Sequence, residues 1–165
     1  MSGLTTLGTF HTAIALVAVA AGLLCLLRER DISLHTRAGQ VYVWTTVLTC
    51  LTGFGIFQRG GFGPPHVLGI LTLLVLALAA WAGSGRLGKL SPYVATVSYS
   101  LTFFFHMIPG LTETFTRVPV GAPLFSGPDD PTLQTVVGII FVFFLAGATL
   151  QVRRLRSGRG GLTAA

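Results

Sequence analysis

Three histidines, His11, His66 and His106, are the side chains of this sequence best suited to chemistry. Each lies near the end of a separate apolar run. Neutral imidazole is a common ligand of zinc, copper, nickel and haem iron, and an ionisable group inside a membrane segment is costly enough to point to function. His11 lies about one turn inside the first run, His66 two residues after Pro64 and His106 three before Pro109. At about 1.5 Å per residue all three are expected within about 6 Å of one bilayer boundary. Glu113, seven residues after His106 and beyond the Pro109-Gly110 break, is expected to bring a carboxylate back over the same mouth.

This ligand set admits two centres. Three imidazoles with a carboxylate or water form an acceptable tetrahedral zinc site, and three protein ligands plus water a catalytic one. Two imidazoles from facing helices suit the axial positions of a b-type haem in a bundle core, with Gly53, Gly55 and Gly69 making room for the macrocycle. The letters leave both open, together with plainer roles: an imidazole bonded to a headgroup or a loop carbonyl, and Glu113 paired with Arg117 at i,i+4 in a short loop helix.

The elements that must position these groups are membrane helices. The mean hydropathy is +0.76, and only 10% of the 165 residues are charged, against roughly 25% in soluble domains. A hydrocarbon core of about 30 Å needs about 20 helical residues, and five runs meet or approach this: 8–27, 40–57, 64–81, 92–109 and 133–152. The expectation is an all-α integral membrane bundle of five transmembrane helices in one domain, 1–152, followed by a basic tail, 153–165. Asp130-Pro131-Thr132 predicts a helix start, with aspartate as N-cap and proline at the first helical position. The longest connection, 110–131, is predicted to fold over the bundle end.

Net charge +6 sets topology. Arg and Lys fall in short clusters between apolar runs without interleaved aromatics, which excludes nucleic acid as a partner. Arg28, Arg30, Arg37, Arg86, Lys89, Arg153, Arg154, Arg156 and Arg159 share one side, against Arg59 and Arg117 on the other. Basic connections stay cytoplasmic, so the N-terminus is expected outside and the C-terminus inside a cytoplasmic (inner) membrane. No basic residue precedes the first run, which reverses the pattern of a cleavable signal peptide despite Ala18-Val19-Ala20. Cys25 and Cys50 fall inside apolar runs and are expected as buried thiols. The partners expected are the lipid bilayer and a membrane protein or second copy.

Tyr42, Thr45, Thr49 and Thr52 on the second run, and Tyr99, Thr102 and His106 on the fourth, recur at helical spacing and should turn toward other helices. The fifth run is apolar almost all round and is expected at the bundle edge. No hydrolase elbow, P-loop, dinucleotide fingerprint or HExxH is present. No acidic residue lies deep in a run, which weakens a proton-coupled transporter reading.

The order His35-x-Arg37-x-Gly39-x-x-Tyr42, followed by a Gly-rich turn with Pro65-His66 opening the next helix, resembles the bacterial membrane-protein family catalogued as domain of unknown function 2306. The resemblance covers roughly residues 5 to 120, and the family's name supplies no activity. It implies a His-Arg element at the cytoplasmic start of the fourth helix. Here that place reads Leu87-Gly88-Lys89-Leu90-Ser91, so His35 lacks an inner partner and the outer trio becomes the better site. The histidines near helix ends are also loosely similar to two-haem cytochrome b561 bundles, a likeness of fold alone. The functional expectation is a redox or metal-handling membrane protein with haem b or a transition metal (Zn, Cu or Fe) on His11, His66 and His106, Glu113 being auxiliary. A zinc-dependent membrane hydrolase, and a structural or assembly subunit, are the alternatives.

Overall fold

The computed structural model describes residues 5–57 and 61–158; Arg59, Gly60 of the Gly-rich turn and the tail from Arg159 lie outside them. Five α-helices follow in chain order: α1 Thr6–Arg28, α2 Arg37–Gly53, α3 Pro64–Gly83, α4 Ser91–Phe115 and α5 Pro131–Arg156, with a short 3-10 turn over Gly88–Leu90. No strand occurs among the described residues. Local chemistry sets the starts. The Thr5 and Thr36 hydroxyls accept the Gly8 and Gly39 amides at 3.1 Å each, Asp130 accepts the Thr132 amide at 2.8 Å, and prolines occupy the first turns of α3, α4 and α5.

Four of these helices, α1, α3, α4 and α5, are long and apolar enough to cross a membrane. α2 has 17 residues and spans roughly 25 Å. It starts at Arg37, ahead of the expected 40, because Thr36 caps it, and stops at Gly53 instead of 57, where Gly53 and Gly55 weaken the helix.

The larger departure is in α4. The Pro109-Gly110 break predicts a helix end and a connection opening at 110; instead α4 runs through it to Phe115, and the connection shrinks to 116–130. Proline removes one donor to the preceding turn and does not forbid the helix beyond it. The backbone ladder continues to the Thr116 amide, which donates to the Thr112 carbonyl at 3.1 Å, and the Thr112 and Thr116 hydroxyls donate to the Ile108 and Thr112 carbonyls at 2.8 and 2.6 Å.

α1 packs chiefly on α2, α3 on α4, with α2 against α3 and α4 against α1 completing a ring; α5 lies outside it, on α4. Only Leu133 and Ala148 of α5 are buried, the edge position its all-round apolarity predicts. Burial is inverted relative to a soluble bundle. Leu16, Leu27, Trp44, Leu74, Val142 and Phe143 are exposed, whereas Thr46, Thr49, Thr72, Thr96, Ser98, Ser100 and Thr102 are buried. Lipid is as apolar as leucine, so nothing drives leucine inward, while hydroxyls find partners only between helices. Cys25 and Cys50 are free and buried, as expected.

Candidate functional site

The polar interior is built between α2 and α4, whose backbones scarcely approach, so side chains bridge the gap. Tyr42 and Thr102, both 0% exposed, join hydroxyls at 2.8 Å. Thr102 donates its one proton to the Tyr99 carbonyl at 2.8 Å, so the phenol is the donor to Thr102. One turn along, Thr46 Oγ1 meets His106 Nε2 at 3.0 Å, and the Tyr42 and His106 rings pack edge to face with centroids 6.0 Å apart. Helical spacing alone places Thr45 at this level. Thr45 bonds carbonyls of its own helix, those of Val41 and Tyr42, and it is Thr46, four residues after Tyr42, that faces α4.

His11 belongs to the α1–α2 seam. Its Nδ1 lies 3.0 Å from Thr52 Oγ1. Thr52 already donates to the Leu48 carbonyl at 2.8 Å, so the imidazole donates from Nδ1 and its Nε2 keeps a lone pair. Gly53 makes the fit: a Cβ there would sit 3.2 Å from His11 Cε1. Glu113 is close enough to act on His11 electrostatically, and its carboxylate forms an ion pair with Arg117 four residues on. Glu113 sits on the last turn of α4 and Arg117 two residues past its end, so the i,i+4 pair closes the end of a long helix and not a short loop helix.

His66 stands apart. It occupies the first turn of α3, and its Nδ1 accepts the Gly63 amide at 3.2 Å, while its ring is stacked between Phe57 and Phe62 at 5.0 and 5.1 Å. Accepting at Nδ1 puts the proton on Nε2, the nitrogen that would have to be bare to ligate. That Nε2 is buried with no hydrogen-bond partner.

The three imidazoles therefore do not converge. His11 bonds α2, His106 bonds α2 some six residues deeper, and His66 caps its own helix. Among the described residues no three His, Cys, Asp or Glu side chains form a group able to hold a metal ion. α4 does not stop at Pro109, and His106 lies nine residues from its end at Phe115, roughly 14 Å along the axis.

A second polar cluster closes the opposite end of the bundle. Asp31, in the α1–α2 connection, accepts the Ile32 amide at 2.8 Å and the Thr96 hydroxyl of α4 at 3.2 Å. Burial raises its carboxyl to about 6, against the pull of the Thr96 and Ile32 hydrogen bonds and the Arg154 charge, with Glu29 adding to the rise. α5 reaches the same corner. Arg154 Nη1 donates to the Glu29 carbonyl at 2.8 Å, Gln151 Nε2 to the Arg30 carbonyl at 3.0 Å, and the Ser100 hydroxyl to Gln151 Oε1 at 2.9 Å. Arg30 has φ +60°, a left-handed conformation that side chains seldom adopt. The sequence alone singles out neither Asp31 nor Thr96 and Gln151; a carboxylate between two runs carries no sign that a third helix will cover it. His35 is exposed.

Compared with known proteins, the chain matches no family model, no curated protein and no solved structure, so the site is read from its own geometry.

Proposed function

We propose that this chain is a small multi-pass protein of the cytoplasmic membrane, N-terminus outside and C-terminus inside, serving as a structural or assembly subunit, with its histidines and threonines holding helices together. The observation that carries this reading is the dispersal of the histidines, each engaged by a different packing partner: His106 by Thr46, His11 by Thr52, His66 by Gly63. The shared metal or haem centre on His11, His66 and His106 has less support, since the His66 proton lies on the wrong nitrogen for ligation. The zinc-hydrolase alternative has less as well, because Arg117 holds Glu113. The resemblance to the domain of unknown function 2306 family belongs to the same proposal and adds no activity. A membrane-protein partner or a second copy is the expected contact of the exposed α5 face.

One observation favours a second reading. The Nε2 of His11, whose lone pair the bond to Thr52 leaves unused, offers one ligand to a transition metal such as Zn, Cu or Fe. Elemental analysis and one absorption spectrum of purified protein separate the two. The structural reading expects neither stoichiometric metal nor a Soret band, and either signal, abolished by His11→Ala, overturns it. Reporter fusions at both termini test the orientation, and a periplasmic C-terminus refutes it.

A further inference from the structure

Between α4, α5 and the end of α1 lies a groove of about 880 Å³ that the interior network does not use. Its floor is apolar: Phe103, Phe104 and Met107 from α4, Ile140 and Phe144 from α5, with Gly147 leaving it open. A Cβ built at Gly147 meets nothing within 4 Å. One end is cationic, formed by Arg30, Arg153 and Arg154 with the amide of Gln151, and no carboxylate is among the residues lining it. Ile140 to Gln151 is eleven residues of helix, roughly 16 Å, about half the thickness of a hydrocarbon core.

We infer that this groove binds one anionic phospholipid of the inner leaflet, its phosphate on the three guanidiniums and an acyl chain along the α4–α5 trough. Charge complementarity selects the occupant. A trough one leaflet deep that ends in cations matches an acyl chain joined to a phosphate, whereas an apolar helix of a partner would bring no charge to the exposed Arg30 and Arg153. The cationic end is built by the fold. Arg154 reaches the Glu29 carbonyl and Gln151 the Arg30 carbonyl, so the left-handed turn that carries Arg30 is fastened to the helix that carries the other two arginines. An arginine has five N–H donors, and the Glu29 carbonyl takes one from Arg154 Nη1, leaving others to face a phosphate. The inference needs α4 and α5 to cross a bilayer and goes beyond the structural-subunit reading.

The test uses full-length protein in a neutral detergent, with phosphatidylglycerol or phosphatidylcholine of identical acyl chains added in turn, read by native mass spectrometry. One phosphatidylglycerol per chain should be retained at least tenfold more strongly than phosphatidylcholine. The Arg30→Gln/Arg153→Gln variant should lose that preference, leaving the Arg154 tie intact. Gly147→Leu, which fills the trough without touching a cation, should weaken both lipids. Equal retention of the two lipids overturns the inference, as does an unchanged preference in the arginine variant. So does a dimer that Gly147→Leu dissolves with no lipid lost, which would assign the groove to a second copy.

Discussion

Replacing Thr46 by valine keeps the shape of the side chain and deletes the hydroxyl that meets His106 Nε2 at 3.0 Å. Thr46 is 0% and His106 7% exposed, so water cannot take the vacated place, and the imidazole is left with an unpaired nitrogen in the bundle. Leaving a buried polar group unsatisfied costs about 1–3 kcal/mol. Hydrogen bonds between membrane helices average about 0.6 kcal/mol and reach about 1.7, because the unfolded chain in a membrane finds other partners. The expected loss is therefore about 1–2 kcal/mol, with a coupling to His106→Phe of about 0.6–1.7 kcal/mol in a double-mutant cycle. In a thermal scan in detergent, a chain of this size should lose about 2–4 °C per kcal/mol. Thr45→Val is the control, since the Thr45 hydroxyl bonds only carbonyls of its own helix, and it should change little. Equal losses at positions 45 and 46, or losses at Thr46 and His106 that simply add, would refute the bridge between α2 and α4.

Three further outcomes follow from the packing and the buried carboxyl. Gly53→Leu should displace His11 from Thr52, because a Cβ there already approaches the imidazole to 3.2 Å, whereas Gly138→Ala, with nothing within 4 Å, should be neutral or stabilising by up to about 1 kcal/mol; thermal scans compare the two. The Asp31 carboxyl sits at about 6, above its unfolded value near 3.9, so the folded state binds the proton more tightly. Its contribution is fully present below pH about 4 and is lost as pH rises through about 6; stability measured against pH should therefore fall between these limits in the wild type and stay flatter in Asp31→Asn. Pro109→Ala should raise stability, by at most about 3 kcal/mol, since an amide at 109 can donate to the preceding turn of a helix that continues past it; no change would restore the helix end that the sequence predicts.

What the letters disclose tracks how local the physics is. Asp130-Pro131 announces the start of α5, and a hydroxyl or carboxylate ahead of a helix is a signal complete within four residues. The five helices are equally legible, since the length and apolarity of a run need no knowledge of its neighbours. Pro109 misleads because a proline weighs one lost bond against everything the continuing helix gains, and that balance depends on the residues beyond it. His66 misleads for a related reason: Phe57 and Phe62, separated from it in sequence by a turn, close around the ring, and the Gly63 amide fixes its tautomer. Ligand spacing could not contain that. Asp31 is the extreme case, its surroundings being supplied by Thr96, 65 residues away, and by Arg154 at the end of α5.

The threonines explain why imidazole and phenol are the groups that meet them. A threonine on a membrane helix donates its one proton to a carbonyl of the preceding turn, as Thr52 does to Leu48 and Thr102 to Tyr99, and what it then presents to another helix is an acceptor. A facing side chain that also carried only an acceptor would repel it, so the partner has to arrive with a donor. Tyr42 brings the phenol O–H to Thr102, and His11 brings Nδ1–H to Thr52. A second threonine would bring a hydroxyl already engaged with its own helix. Histidine adds something that tyrosine lacks, a second nitrogen that can be left free, and in His11 that nitrogen is left over once the seam is made. Exchanging His11 for glutamine would supply the donor without the basic lone pair. If the folded stability survives that exchange, the seam needs only a donor at position 11. A loss as large as that of His11→Ala would mean that the ring's fit against Gly53 holds the seam.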